Sequence, residues 1–297
     1  MGHIITDLKE AFRRGNVYIQ LIFINVGVFV ITTLIGILLQ LFNRSAAGIF
    51  ELLALPASFT RFAWQPWSIF TYMFMHAGFL HILFNMLWLY WFGALFLYFF
   101  SGKHLRGLYI VGGICGGLLY MISYNVFPYF RPMTAYSTMV GASASVLAIV
   151  VATAYREPNY PVRLLFFGNV RLKYLALIVV LTDLLFITSS NAGGHIAHLG
   201  GALAGLWFAA SLNKGKDITS WVNKALDAIA ALFNAKTWKR KPKMKFSRAM
   251  VLPISFSALM SRSSNVFSLS SSRAVSFSSH SADCSMAFFR AVPDLTI

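Results

Sequence analysis

Two polar side chains inside apolar stretches of this sequence could together carry out nucleophilic chemistry. Ser143 and His198 each lie in a stretch apolar enough to enter a bilayer. Because a polar group in lipid is energetically costly, such residues are candidates for function. A histidine that reaches a serine can take the hydroxyl proton and leave a nucleophilic oxygen. The pair predicts a hydrolase; the structural alternatives are a serine bonded to its own helix and a histidine that joins two helices.

Small residues predict how the two segments approach each other. Gly201 and Gly205 follow His198 by three and seven residues, so all three lie on one face of a helix. The helix that begins near Ser143 carries a stripe of alanines, namely Ala144, Ala148 and Ala152. Helices with small faces pack closely in lipid. We therefore expect close packing to bring His198 to Ser143, and Gly141 to let a reacting backbone approach.

A third segment carries hydrogen-bond donors at helical spacing. His81 and Asn85 are four residues apart and therefore share one face of a helix. Both can donate to an oxyanion, and removing one such donor from a soluble protease costs about 3–4 kcal/mol. The alternative is a polar contact between helices, worth about 0.5–2 kcal/mol. The spacing alone does not choose between these two roles.

Metal binding is the rival interpretation of the histidines. His76, His81, His195 and His198 could cluster and hold a zinc ion. The sequence has no helix with the His-Glu-x-x-His arrangement, and acidic ligands are scarce in its apolar stretches. We therefore predict no metal and no cofactor.

The sequence does not reveal an acidic partner for His198. Asp183 is the one carboxylate well inside a predicted span. It is expected near the middle of that helix, away from the level of Ser143, which argues against a role beside the histidine. The prediction is therefore a dyad of serine and histidine.

The composition predicts a helical membrane protein. Of the 297 residues, 58% are hydrophobic and 11% are charged, whereas about a quarter of the residues in soluble domains are charged. The apolar runs are continuous over about twenty residues, which favours spanning helices over the alternating pattern of a β-barrel. Much of the net charge of +16 lies in connections and the tail, so membrane topology explains it better than nucleic-acid binding.

Six apolar stretches predict an all-α membrane protein, a bundle of six transmembrane helices within residues 17–213. The spans are expected at 17–42, 68–100, 105–126, 141–155, 173–190 and 194–212. Residues 1–16 are expected to form a cytoplasmic N-terminus. Residues 214–246 are predicted to be a cytoplasmic amphipathic and basic segment, and residues 247–297 a serine-rich, disordered tail.

The distribution of basic residues predicts the orientation of the chain. Lysine and arginine are concentrated in the N-terminus and in the connections after spans two, four and six. The connections after spans one and three contain only Arg44, Arg61 and Arg131. By the positive-inside bias both termini are then cytoplasmic. This orientation places the polar residues of spans two, four and six at one depth, near the outer face.

At four places the sequence resembles the rhomboid family of intramembrane serine proteases. These places are Trp67 to Thr71, His76 to Asn85, Gly141 to Ala144, and Ala197 to Gly201. Their order and spacing agree with the family over about residues 17–213. The resemblance implies that the connection between spans one and two, residues 43–67, is a half-embedded loop.

The resemblance also implies a role for each matching residue. Ser143 would be the nucleophile and His198 the general base. The side chains of His81 and Asn85, with the backbone amide of Ser143, would form the oxyanion hole. His76 matches a supporting histidine beneath the first loop. Span five would be a mobile gate for substrate helices.

Three positions depart from the family pattern. Ala144 stands where the family commonly has glycine, and Leu147 where an aromatic residue often packs under the histidine. Ser68 follows the loop tryptophan, where arginine is usual. Alanine at 144 needs little extra room, whereas Leu147 would hold the histidine ring less rigidly. We expect these departures to affect the rate and the loop geometry more than the reaction type.

These observations predict an intramembrane serine endopeptidase that cleaves transmembrane segments of membrane proteins near the outer face. The expected partners are transmembrane protein substrates and the lipid bilayer, with no nucleic acid, and the expected location is the inner membrane of a bacterial cell. One alternative is a non-catalytic binder of transmembrane clients, against which the presence of both Ser143 and His198 argues. A transporter with a histidine proton relay would require inverted repeats, and the two halves show no convincing similarity. The sequence leaves the oligomeric state open.

Overall fold

The protein is described here from a computed structural model that covers Phe12, residues 15–164 and residues 168–233. The predictions for most of residues 1–16, for the basic segment from 234 to 246 and for the tail 247–297 lie outside these residues. The described part is mostly helical, in agreement with the predicted all-α class.

Four helices are long and apolar enough to cross a membrane: α1 (Val17–Leu41), α5 (Phe79–Phe99), α6 (Gly102–Val126) and α9 (Ala192–Asn213). Two further apolar helices, α7 (Ser143–Arg156) and α8 (Leu172–Leu185), have 14 residues each. Fourteen residues give about 21 Å of helix, whereas the hydrocarbon core is about 30 Å thick. The chain is a multi-pass membrane protein in which four of the six predicted spans have the length of a full crossing.

Helix α7 occupies the centre of the bundle, with almost every side chain from Ala144 to Ala154 buried. It packs between α6 and α9 through very small residues. A Cβ added at Gly201 would overlap the Ala144 carbonyl, and one added at Gly205 would overlap the Ala148 carbonyl. This is the small-face packing expected from the sequence. Because Ala144 to Ala154 are enclosed by protein, most of this short helix is shielded from lipid.

The connection between α1 and α5 is folded. It contains α2 (Ala47–Leu53), α3 (Phe59–Trp64), α4 (Ser68–Thr71) and a single 3₁₀ turn, Tyr72–Phe74. Two side-chain bonds fasten α4 to the end of α2: Trp67 Nε1 donates to the Leu52 carbonyl at 3.0 Å, and Thr71 Oγ1 donates to the Leu53 carbonyl at 2.7 Å. Helix α5 lies within the predicted range 68–100 and begins at Phe79, after the turns of this connection.

A short antiparallel pair joins this connection to the segment that leads into α7. Strand β1 (Leu55–Pro56) pairs with β2 (Thr138–Met139), with Leu55 opposite Met139. A second pair, β3 (Pro161–Leu164) and β4 (Gly168–Arg171), forms a hairpin between α7 and α8. Neither pair was predicted, because segments of two to four residues carry too little periodicity to be recognised. The first pair fixes the backbone just before Ser143.

The predicted amphipathic segment contains α10 (Ser220–Phe233), which docks on the start of α6. Arg106 donates from Nε and Nη2 to the Asn223 side-chain oxygen at 3.0 and 2.9 Å. It also pairs with Asp227 at 3.2 Å. Val222 is buried, whereas Trp221 is exposed. The exposed apolar face is compatible with the predicted position at a membrane surface.

Substitution of Gly201 by alanine tests the close packing of α7 and α9. The added methyl group would overlap the α7 backbone, so we expect the free energy of unfolding to fall by about 1–3 kcal/mol. Gly27→Ala on α1 is the matched control, because a Cβ there meets nothing within 4 Å. Unfolding in detergent micelles by denaturant titration measures both variants. Equal stability of the two would contradict the packing described here.

Candidate active site

Four of the polar residues singled out in the sequence line one cavity of about 680 Å³. Ser143, His198, His81 and Asn85 all face it, although they belong to three different helices. Apolar side chains complete the wall, among them Phe84, Trp88, Val146, Leu147 and Val179. The structure therefore brings together the four residues for which the sequence predicted chemistry.

Ser143 is the first residue of α7, and the segment before it contains a glycine with an unusual backbone conformation. Gly141 has φ +136°, a left-handed conformation that L side chains rarely adopt. Its N–H donates to the Tyr72 carbonyl at 2.9 Å. A Cβ at this position would lie 3.0 Å from the His81 ring. The first N–H groups of a helix have no partner within it, so the Ser143 amide is available to a negatively charged oxygen.

His81 is oriented by its own backbone. The Ala77 N–H donates to His81 Nδ1 at 3.4 Å, which leaves Nε2 as the protonated nitrogen of the neutral ring. Asn85 donates from Nδ2 to the His81 carbonyl at 2.9 Å, so its amide is held one turn along the same face. Both side chains thus offer an N–H group at the cavity, as the helical spacing predicted.

His198 is held by the carboxylate of Asp183, for which the sequence predicted no role. Its Nδ1 lies 2.8 Å from Asp183 Oδ1, and His195 Nδ1 lies 2.8 Å from the same oxygen. Asp183 is 4% exposed. The prediction that no acidic residue accompanies the histidine is therefore wrong for the structure: Asp183 is in direct contact with His198.

The predicted position of Asp183 differs from the observed one because α8 ends earlier than the predicted span. The sequence predicted a span to residue 190, which puts position 183 well inside a helix; α8 instead ends at Leu185, and α9 begins at Ala192. Asp183 is therefore in the last turn of one helix, and His195 and His198 are in the first two turns of the next. Helices joined by a short turn run antiparallel as neighbours, so these turns face each other. The sequence does carry a signal for this contact: an acidic residue before a turn between two helices, with histidines after the turn.

His76 packs against His81 and does not line the cavity. It precedes α5, is 3% exposed, and its ring centroid is 5.2 Å from that of His81. Neither ring nitrogen meets hydrogen-bond geometry with another described group. Burial lowers the pKa of His76 to about 4, with a smaller contribution from His81, against an opposing effect of the Phe74 backbone. The ring is therefore neutral at physiological pH, in keeping with a supporting position.

The four histidines weighed as the rival zinc site do not form one ligand group within the described residues. Within residues 15–164 and 168–233, the group of three or more potential metal ligands comprises Asp183, His195 and His198, whose ligand atoms lie within 4.8 Å of one another. His76 and His81 are not part of it. A metal ion held by this group would therefore take Asp183, His195 and His198 as its ligands.

Acidification tests the burial of His76. The folded-state pKa lies below the ordinary value of 6.5, so the unfolded chain binds a proton that the folded chain excludes. Stability should then fall as the pH drops from 6.5 towards 4. In His76→Phe, which keeps a ring against His81, the unfolding temperature should fall less over this window than in the parent. Parallel slopes for the two proteins in detergent thermal unfolding would contradict the assignment.

Comparison with known proteins places this geometry in a family. The family model described as Rhomboid domain matches residues 63–214. A similar curated protein is RHOMBOID-like protein 12, mitochondrial, of Arabidopsis thaliana, which is 29% identical over 158 residues, 50% of this chain and 47% of that protein. The chain thus spans about half the length of this relative. The matched range holds the whole cavity, whose lining runs from Ala77 to His198, and the chain belongs to the rhomboid family.

Proposed function

We propose that this protein is an intramembrane serine endopeptidase that cleaves transmembrane segments of other membrane proteins. The observation that carries the proposal is the convergence of Ser143, His198, His81 and Asn85 on one cavity. These residues supply a nucleophile, a base and two hydrogen-bond donors, which together meet the requirements of acyl transfer. Membership of the rhomboid family supports the same reaction class.

In the proposed reaction, Ser143 Oγ attacks a peptide carbonyl while His198 Nε2 takes its proton. The tetrahedral intermediate collapses when His198 returns that proton to the leaving amine, which leaves an acyl ester on Ser143. A water molecule, deprotonated by the same nitrogen, then attacks the ester, and His198 returns the proton to Ser143 Oγ as the acid product leaves. Nδ1 of His198 faces Asp183, so Nε2 is the nitrogen that remains to serve Ser143.

The negative charge on the carbonyl oxygen would be received by N–H groups that are already in place. His81 Nε2, the Asn85 amide and the Ser143 backbone amide are the proposed donors. Fixed donors in a site that excludes bulk water stabilise the transition state without reorganisation, and each is worth about 3–4 kcal/mol where one has been removed from a soluble protease.

The surroundings of the cavity suit a substrate that arrives as a helix from lipid. Helix α8 contributes Val179 to the cavity wall and exposes large apolar side chains outward, including Leu177, Ile178, Leu181, Leu184 and Leu185. A transmembrane substrate must unwind locally, because helical carbonyls are hydrogen-bonded and shielded. We therefore propose α8 as the side of entry, and substrates with helix-destabilising residues near the cut.

The positive-inside distribution supports both termini on the inner side and the cavity towards the outer face. The orientation does not identify which cellular membrane contains the protein. The relative from Arabidopsis thaliana is named mitochondrial, and this name gives no support to the bacterial inner membrane expected from the sequence.

The second candidate function is the binding of transmembrane clients without cleavage. One observation favours it: within the described residues, the Ser143 hydroxyl and His198 do not form a hydrogen bond. Catalytic hydrogen bonds are often long in free enzymes and tighten with substrate, so this observation does not exclude cleavage. Leu147, which lines the cavity, also stands where the family often has an aromatic residue.

Cleavage of a single-span model substrate by the purified protein in lipid vesicles separates the two functions. We expect the parent to cut the substrate, and Ser143→Ala and His198→Ala to reduce the rate by at least 1,000-fold, because each removes an essential atom of the acyl transfer. Ser145→Ala is the matched control, since Ser145 is on the same helix but does not line the cavity.

A fluorophosphonate probe provides a second readout that does not depend on the choice of substrate. It should label the parent and Ser145→Ala, but not Ser143→Ala. Well-folded parent protein that neither cuts nor takes the label would support the client-binding function. Cleavage that persists in Ser143→Ala would show that another nucleophile is responsible.

A further inference from the structure

One carboxylate in the core of the protein has histidines as its ion-pair partners. Asp183 is 4% exposed, and its Oδ1 lies 2.8 Å from Nδ1 of both His195 and His198. The second oxygen, Oδ2, is buried and has no hydrogen-bond partner among the described residues. A buried carboxylate is strongly disfavoured unless donors hold it, so the two imidazoles account for its presence.

We propose that Asp183 is the positioning residue of the active site and that the machinery is Ser143, His198 and Asp183 rather than a serine and a histidine alone. This inference rests on the proposed protease function. Asp183 accepts a hydrogen bond from His198 Nδ1–H and so fixes the tautomer in which Nε2 carries the lone pair. Nε2 is then the atom that takes the proton of Ser143.

The carboxylate also acts when the proton moves. As Ser143 Oγ bonds to the substrate carbonyl carbon, its proton passes to His198 Nε2 and the ring becomes a cation. Asp183 keeps its negative charge throughout and stabilises that cation at a distance of 2.8 Å. No proton passes to the carboxylate, and the ring returns to neutrality when the leaving amine is protonated.

His195 has a distinct place in this arrangement. It donates from Nδ1 to the same oxygen, which has two lone pairs and can accept both bonds. The His195 ring also packs near Phe186, with ring centroids 6.1 Å apart. Because Phe186 directly follows α8, His195 fastens the start of α9 to the end of α8. This contact keeps the carboxylate beside His198 while the outer face of α8 remains towards lipid.

The distances favour hydrogen bonds over a metal ion among the same three residues. Ligands placed 2.0–2.1 Å from zinc at tetrahedral angles stand about 3.3 Å apart. The two nitrogen–oxygen distances are 2.8 Å, which is the length of a charge-assisted hydrogen bond. A zinc ion would also occupy Nδ1 of His198 in place of the proton that the proposal requires.

The test compares Asp183→Asn with the parent and with Asp227→Asn. Asp227 is an exposed carboxylate on α10 that pairs with Arg106, so the control makes the same chemical change elsewhere. We expect Asp183→Asn to lower kcat by at least 100-fold while KM changes by less than threefold, because substrate binding does not involve the carboxylate. Asp227→Asn should stay within twofold of the parent in both constants.

Histidine ¹⁵N spectra of the parent provide a readout that a merely structural role would not move. The His198 signal, assigned by its loss in His198→Gln, should show a protonated Nδ1 and an unprotonated Nε2. In Asp183→Ala this preference should weaken or reverse. An unprotonated Nδ1 in the parent would overturn the proposal.

The remaining outcomes separate this inference from the proposed function. If the parent cuts and Asp183→Asn retains its kcat, the positioning role is wrong and the protease function stands. If the parent does not cut and takes no fluorophosphonate, the protease function fails and the inference fails with it. Zinc bound at one equivalent, and lost in both Asp183→Asn and His195→Gln, would also overturn the proposal in favour of a metal site.

Discussion

The close approach of α7 and α9 is the constraint on which the rest of the site depends. Gly201 and Gly205 lie against the backbone carbonyls of Ala144 and Ala148. With any side chain at these two positions the helices would separate, and His198 would move away from the start of α7. In lipid no hydrophobic force drives helices together, so such packing must come from shape and from polar contacts. The glycine face therefore determines whether Ser143 and His198 can share a cavity.

Polar contacts then determine which atoms face each other across that cavity. Three polar side chains that line the cavity are held by neighbouring groups: Asn85 by the His81 carbonyl, His81 by the Ala77 amide, and His198 by Asp183. In a medium of low dielectric these bonds are stronger than in water, and an unpaired group costs correspondingly more. These bonds fix the orientation of the three side chains, which is the preorganisation that the proposed reaction would require.

Much of the site could be predicted from the sequence, because its residues are polar exceptions in apolar helices. The spacing of His81 and Asn85 predicted a shared face, and the small residues after His198 predicted its close packing; both agree with the structure. Hydropathy alone does not predict the place of Asp183, because it does not mark where α8 ends within an apolar run. The short span predicted at 141–155 corresponds closely to α7, whereas the strand pairs and the early end of α8 are set by tertiary contacts that no local pattern records.

The central claim, that Ser143 is a nucleophile served by His198, is tested most directly by the structure of the protein after reaction with a fluorophosphonate. We predict a phosphorus–oxygen bond to Ser143 Oγ, with a phosphoryl oxygen within hydrogen-bond distance of His81 and Asn85. His198 Nδ1 should remain on Asp183. An adduct on another residue, with Ser143 unmodified, would contradict the account.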